Sequence, residues 1–109
     1  MTVSEMAKAL SLTPISAVED DRAFSGVYIG DLLSWVMGRA KSGNVWITIM
    51  SNINIVAVAS LTDVACIVLA EGVTLEDNVK ATAEQKGVNV YTSEKTAYEL
   101  AAELASLSK

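Results

Sequence analysis

Val45-Trp46-Ile47-Thr48-Ile49, Ala65-Cys66-Ile67-Val68-Leu69-Ala70 and Val88-Asn89-Val90-Tyr91 are the runs that decide the fold. Each is short and mostly apolar, with little polar alternation. That is the pattern of strands whose sheet is covered on both faces. Between and after them the pattern turns helical. In residues 52–61, Ile53, Val56, Ala57 and Ser60 recur at helical spacing, with Ser51 or Asn52 as the cap. Thr74 opens a second helix over 74–86, in a capping-box arrangement with Asp77 in the third position, and Gly87 stands at its C-terminal cap. Ser93 opens a last helix over 94–107. Strand-helix units of this kind cross over right-handed, which makes the three strands parallel.

Working outward, residues 3–10 read as a helix capped by Thr2 or Ser4, with Val3, Met6, Ala7 and Leu10 on one face. Residues 12–17 read as extended, and Pro14 assigns them to a sheet edge. Glu19-Asp20-Asp21-Arg22 is a charged, solvated turn; it lacks the spaced Gly and later Glu of a calcium loop. Residues 24–29 form a second strand, with Gly26 marking a bulge. Asp31 then caps a helix whose buried stripe is Leu32, Leu33, Val36 and Met37. It stops at Gly38 or continues to Lys41, before the turn Ser42-Gly43-Asn44. The expected architecture is one α/β domain over residues 1–109. It has three layers, αβα, around a mainly parallel sheet of about five strands, with a Rossmann-like C-terminal half.

Composition removes many functions. The chain has 109 residues, 51% hydrophobic and 19% charged, with one Cys and no His. Disulfide scaffolds, zinc fingers and Cys-His or Ser-His-Asp catalysis are therefore excluded. Net charge is −5, which disfavours nucleic acid and anionic membranes as partners. Residues 1–10 include Glu5 and Lys8 and contain no signal-peptide core. The longest apolar stretch, 53–61, is broken by Asn54 and Ser60. It is about half the roughly 20 residues a membrane span needs. A cytoplasmic location is expected. Cys66, inside an apolar run, is expected to be a buried core residue.

Ligands of open parallel sheets bind beyond the carboxyl ends of the strands. Three loops meet that description: Ile49-Met50-Ser51-Asn52, Ala70-Glu71-Gly72-Val73-Thr74 and Thr92-Ser93-Glu94. Each leads into a helix N-terminus, where free N–H groups favour an anion. Candidate ligand-binding residues on this rim are Thr48, Ser51, Asn52, Asn54, Gly72, Thr92, Ser93 and Thr96. Each of them also serves as an ordinary cap or turn residue. No G-x-x-x-x-G-K-[ST] or G-x-G-x-x-G is present, so no nucleotide cofactor is expected by either motif. The carboxylate pairs Asp20/Asp21 and Glu76/Asp77 are adjacent in sequence and solvated, so no catalytic or metal-binding residues are assigned. Trp35 and Trp46 are core residues or interface anchors. With Met37 and Met50 they form a candidate dimer surface.

Gly26-Val27-Tyr28-Ile29-Gly30-Asp31-Leu32-Leu33-Ser34-Trp35-Val36-Met37, then Val45-Trp46-Ile47-Thr48 and Asn54-Ile55-Val56-Ala57-Val58-Ala59, resemble a small stand-alone DRTGG domain over nearly the whole chain. Thr92-Ser93-Glu94-Lys95-Thr96-Ala97-Tyr98-Glu99-Leu100 resembles the family's Thr-containing turn into the last helix. Such domains are similar to the N-terminal domain of HPr kinase/phosphorylase. They also occur in long phosphotransacetylases and between the CBS modules of regulatory pyrophosphatases. The resemblance implies a regulatory or dimerising domain without catalysis of its own. Its partners would be a second copy, another protein, or a small molecule sensed at the rim. The name-giving motif is altered here. Ser51-Asn52 stands where the family has Asp-Arg, and Ala70-Glu71-Gly72 where it has Thr-Gly-Gly. Loss of the Arg removes a bidentate phosphate donor, and Glu71 adds negative charge, so a neutral or weakly polar ligand, or none, fits better than a phosphate.

Overall fold

A computed structural model of the chain describes residues 1–16 and 21–107. Ala17, Glu19 and Asp20 of the expected N-terminal segments lie outside the described residues. Parallel pairing runs through β2 (Val27–Ile29), β3 (Val45–Thr48), β4 (Cys66–Leu69) and β5 (Val90–Thr92). A short β1 (Thr13–Pro14) pairs antiparallel with β5, and the sheet order is β1-β5-β4-β3-β2.

That order dictates the layers. Stepping from β2 to β5 the chain always moves the same way across the sheet, so each right-handed crossover puts its helix on the same face. The helices are α2 (Leu33–Arg39), α3 (Asn54–Thr62) and α4 (Asp77–Lys86), and their neighbours along the layer pack together. Trp46, Ile67, Leu69 and Val90 point into this face and meet Val36, Ile55, Val56, Val79 and Ala83. The alternate residues Val45, Ile47, Cys66 and Val68 point the other way. They meet α1 (Val3–Ala9) and α5 (Ala97–Leu107) through Val3, Met6, Leu100 and Leu104. The three-layer expectation holds, with two cores on either side of one mostly parallel sheet. Trp46 is a core residue, 0% exposed, with its indole N–H donating to the Gly30 carbonyl at 3.0 Å.

Several local expectations change. Asp31 is not a helix cap. The N-cap of α2 is Leu32, with no side-chain bond, and Asp31 is drawn into the rim described below. Only Val36 of the expected stripe is fully buried, whereas Leu32 and Met37 are exposed, because α2 is short and lies at the end of its layer. The strand over 24–29 shortens to β2, and Gly26 precedes it with φ of +77° rather than forming a bulge. The helix expected from residue 52 starts at Asn54, and Asn52 instead folds a turn by accepting the Asn54 N–H at 2.9 Å. α4 begins at Asp77, not after Thr74, since the Val73 carbonyl is held by Thr92. α5 begins after Thr96, which makes the capping box with Glu99. The charged turn is tied down where it is described. Asp21 accepts from the N–H and hydroxyl of Ser4, and Arg22 pairs with Asp63 at 2.8 Å.

Candidate functional site: the carboxyl rim of the sheet

The carboxyl ends of β2 to β5 share one rim. At its β2–β3 corner, Thr48 is 2% exposed and donates its hydroxyl to Asp31 Oδ1 at 2.7 Å. The Ile49 N–H donates to the same carboxylate oxygen at 3.0 Å, and the Met50 N–H donates back to Thr48 Oγ1 at 3.2 Å. Thr48 is thus consumed in fixing the turn out of β3. Asp31 organises that turn and was missed in the sequence, where an acid just before an apolar helix reads as its cap.

A topological switch point lies between β4 and β5. The chain leaves β4 toward the α2–α4 face and leaves β5 toward the α1–α5 face, and such a divergence normally opens a ligand crevice. Here the two loops are stitched together. The Glu71 N–H donates to the Lys95 carbonyl and the Gly72 N–H to the Ser93 carbonyl, both at 2.8 Å. Thr92 Oγ1 donates to the Val73 carbonyl at 2.6 Å, and Ser93 Oγ accepts the Lys95 N–H at 3.1 Å. Gly72 is required on two counts. Its φ is +74°, and a Cβ there would come within 2.6 Å of Glu94 Oε2. Of the sequence candidates, Gly72, Thr92, Ser93 and Thr96 therefore hold the protein to itself.

The gap between the N-termini of α3 and α4 is open. Ser51, Asn52 and Ile53 face Glu76, Asn78 and Val79 across a cavity of about 390 Å³. Sequence reasoning found Ser51 and Asn52. It missed Asn78, and it read Glu76 only as half of a solvated carboxylate pair. No spacing pattern brings them opposite Asn52; the packing of α3 on α4 does. Asn54 faces elsewhere, into an apolar groove of about 380 Å³ with Val56, Ala57 and Leu61.

The rim's electrostatics are acidic. Asp31, Glu71, Glu76 and Glu94 stand on its loops and Asp77 at the start of α4, while Lys95 is committed to Glu103 at 2.8 Å and to the Leu10 carbonyl at 3.3 Å. The Thr96 N–H holds the Glu99 carboxyl below its ordinary range. Among the described residues no group of acidic, Cys or His side chains is arranged to hold a metal, and no buried polar side-chain atom lacks a partner. Cys66 is a free, buried thiol, and burial pushes it up to about 12, which removes it as a nucleophile.

The candidate dimer residues divide in the same way. Trp46 is sealed in the core and is not available to a partner, which corrects its place in that surface. Met50 is half-buried against the α2–α4 core. Trp35 and Met37 are exposed, and the Arg39 guanidinium lies over the Trp35 ring at 3.9 Å.

Fold and rim together define an α/β domain of the kind that offers a ligand or partner surface and carries no phosphate loop. The chain belongs to the DRTGG domain family, whose sequence model matches residues 5–107. Its fold is that of the crystal structure of the CBS and DRTGG domains of the regulatory region of Clostridium perfringens pyrophosphatase, complexed with the activator diadenosine tetraphosphate. The TM-score is 0.78 at 15% identity over 94% of this chain, which spans 45% of that one. Among curated proteins, no sequence matches this chain. No helix among the described residues is long and apolar enough to cross a membrane.

Proposed function

We propose that this chain is a cytoplasmic, non-catalytic regulatory domain that works as a homodimer and senses a small molecule at the α3–α4 end of its rim. The cavity bounded by Ser51, Asn52, Glu76 and Asn78 carries the reading. A carboxylate, two amides and a hydroxyl suit a neutral ligand rich in hydroxyl and amine donors. The acids around them, with Lys95 already paired, oppose a polyphosphate. A nucleoside has the fitting chemistry, with ribose hydroxyls for Glu76 and a base edge for the amides. The activator in the similar pyrophosphatase region ends in nucleosides, and this reading takes that end of the molecule rather than its phosphates.

Thermal melting with adenosine, AMP, ATP and diadenosine tetraphosphate tests it. Adenosine at a hundred times its dissociation constant should add about 2.7 kcal/mol of stability. The gain should shrink with each added phosphate and vanish in Glu76→Ala. Equal silence toward all four compounds would sink the sensing role.

A further inference from the structure

We infer that two copies join by antiparallel pairing of β2 with β2 of the partner, with Tyr28 on the two-fold axis. This rests on the homodimer reading above and names its surface and register. The two edges of the sheet are treated differently. On one side β1 ends the sheet with Pro14, which has no N–H to offer, and Ser16 clasps β5 by donating to the Val88 carbonyl at 2.7 Å and accepting the Val90 N–H at 2.8 Å. β2 on the other side has no proline or lysine, and among the described residues no strand covers it. It therefore has none of the usual protections of an edge beyond its shortness.

Backbone geometry fixes the register. The Gly26 carbonyl accepts from Val45 and the Gly30 N–H donates to Ile47, so Gly26, Tyr28 and Gly30 turn toward β3. Strand groups alternate, which turns the N–H and C=O of Val27 and Ile29 outward. An antiparallel partner uses both residues only when Val27 faces Ile29 of the partner. That is a self-complementary arrangement in which each pair exchanges two hydrogen bonds. Tyr28 then meets its own copy as the non-hydrogen-bonded pair on the axis.

Apolar surface surrounds this edge. Val27, Ile29, Leu32, Trp35 and Ile49 are 39–56% exposed. Summed over the five residues, on the order of 500 Å² is open, more than half of the roughly 800 Å² per partner of a standard interface. A strand from an unrelated protein would satisfy the backbone but not this symmetric apolar border.

Sedimentation equilibrium and two variants test the pairing. The native chain should be a dimer; a monomer at every concentration overturns both this pairing and the homodimer reading. Ile29→Lys, at an exposed position, should stay folded and raise the dimer dissociation constant at least a hundredfold. A dimer as tight as native would overturn the edge assignment and leave the homodimer standing. Tyr28→Cys should form an intermolecular disulfide under mild oxidant, because non-hydrogen-bonded pairs bring Cα atoms to about 4.5 Å. Cys66, fully buried, does not compete. A Tyr28→Cys dimer that resists cross-linking, where Val27→Cys cross-links instead, overturns the register.

Discussion

Two gaps on one rim have been put to opposite uses. Between β4 and β5 the loops cross-link through backbone N–H groups and the Thr92 hydroxyl, and the crevice that the topology would open is shut. Between α3 and α4 the flanking loops stay apart, and Ser51, Asn52, Glu76 and Asn78 face a cavity. Similar residue types line both. What separates them is whether a partner already stands within hydrogen-bond reach, and that is decided by packing.

Substitutions probe the contrast in order of size. Trp46→Ala, in the core behind the rim, should cost about 3–5 kcal/mol in chemical denaturation. Trp35→Ala should leave the monomer's stability within about 0.5 kcal/mol. A small effect at Trp46 would move it out of the core. Gly72→Ala should cost about 1–3 kcal/mol, since it strains a left-handed backbone and pushes Glu94 aside. A neutral outcome there would mean that the β4–β5 gap is looser than its hydrogen bonds imply. Thr92→Val removes one neutral bond to Val73 and should cost about 1 kcal/mol. On the open side, Ser51→Ala should change stability by less than about 0.5 kcal/mol.

The smallest effect concerns acid. The Arg22 guanidinium holds the Asp63 carboxyl below its ordinary 3.8, and Thr96 holds Glu99 below its ordinary 4.5. Lowered folded values stabilise above the unfolded ones and lose that contribution as pH falls through them. Melting temperature should be level near neutrality and fall below about pH 4. Asp63→Asn should flatten part of that fall; a fall identical to native would remove the Arg22 pair from the explanation.

Much of the fold was legible because burial on both faces writes itself as unbroken apolar runs. Val45–Thr48 and Cys66–Leu69 both lie inside runs read from the sequence, all of whose strand residues are buried. Helix starts were less legible. Asp31, Ser51 and Thr74 are all good caps by type, yet none of them caps a helix. Asp31 holds β3's exit, Ser51 stands at the cavity, and Thr74 follows a carbonyl claimed by Thr92. Local propensity names a residue's options, and long-range partners choose among them. The same limit applies to the site. Ser51 and Asn52 were found by their place after a strand, whereas Asn78 enters only because α3 and α4 pack side by side.

Amide chemical shifts recorded during an adenosine titration test the division of the rim most directly. Saturable shifts at Ser51, Asn52, Glu76 and Asn78, with Gly72, Ser93 and Lys95 unmoved, are the predicted result. Shifts centred on Gly72, Ser93 and Lys95, or none anywhere, would contradict it.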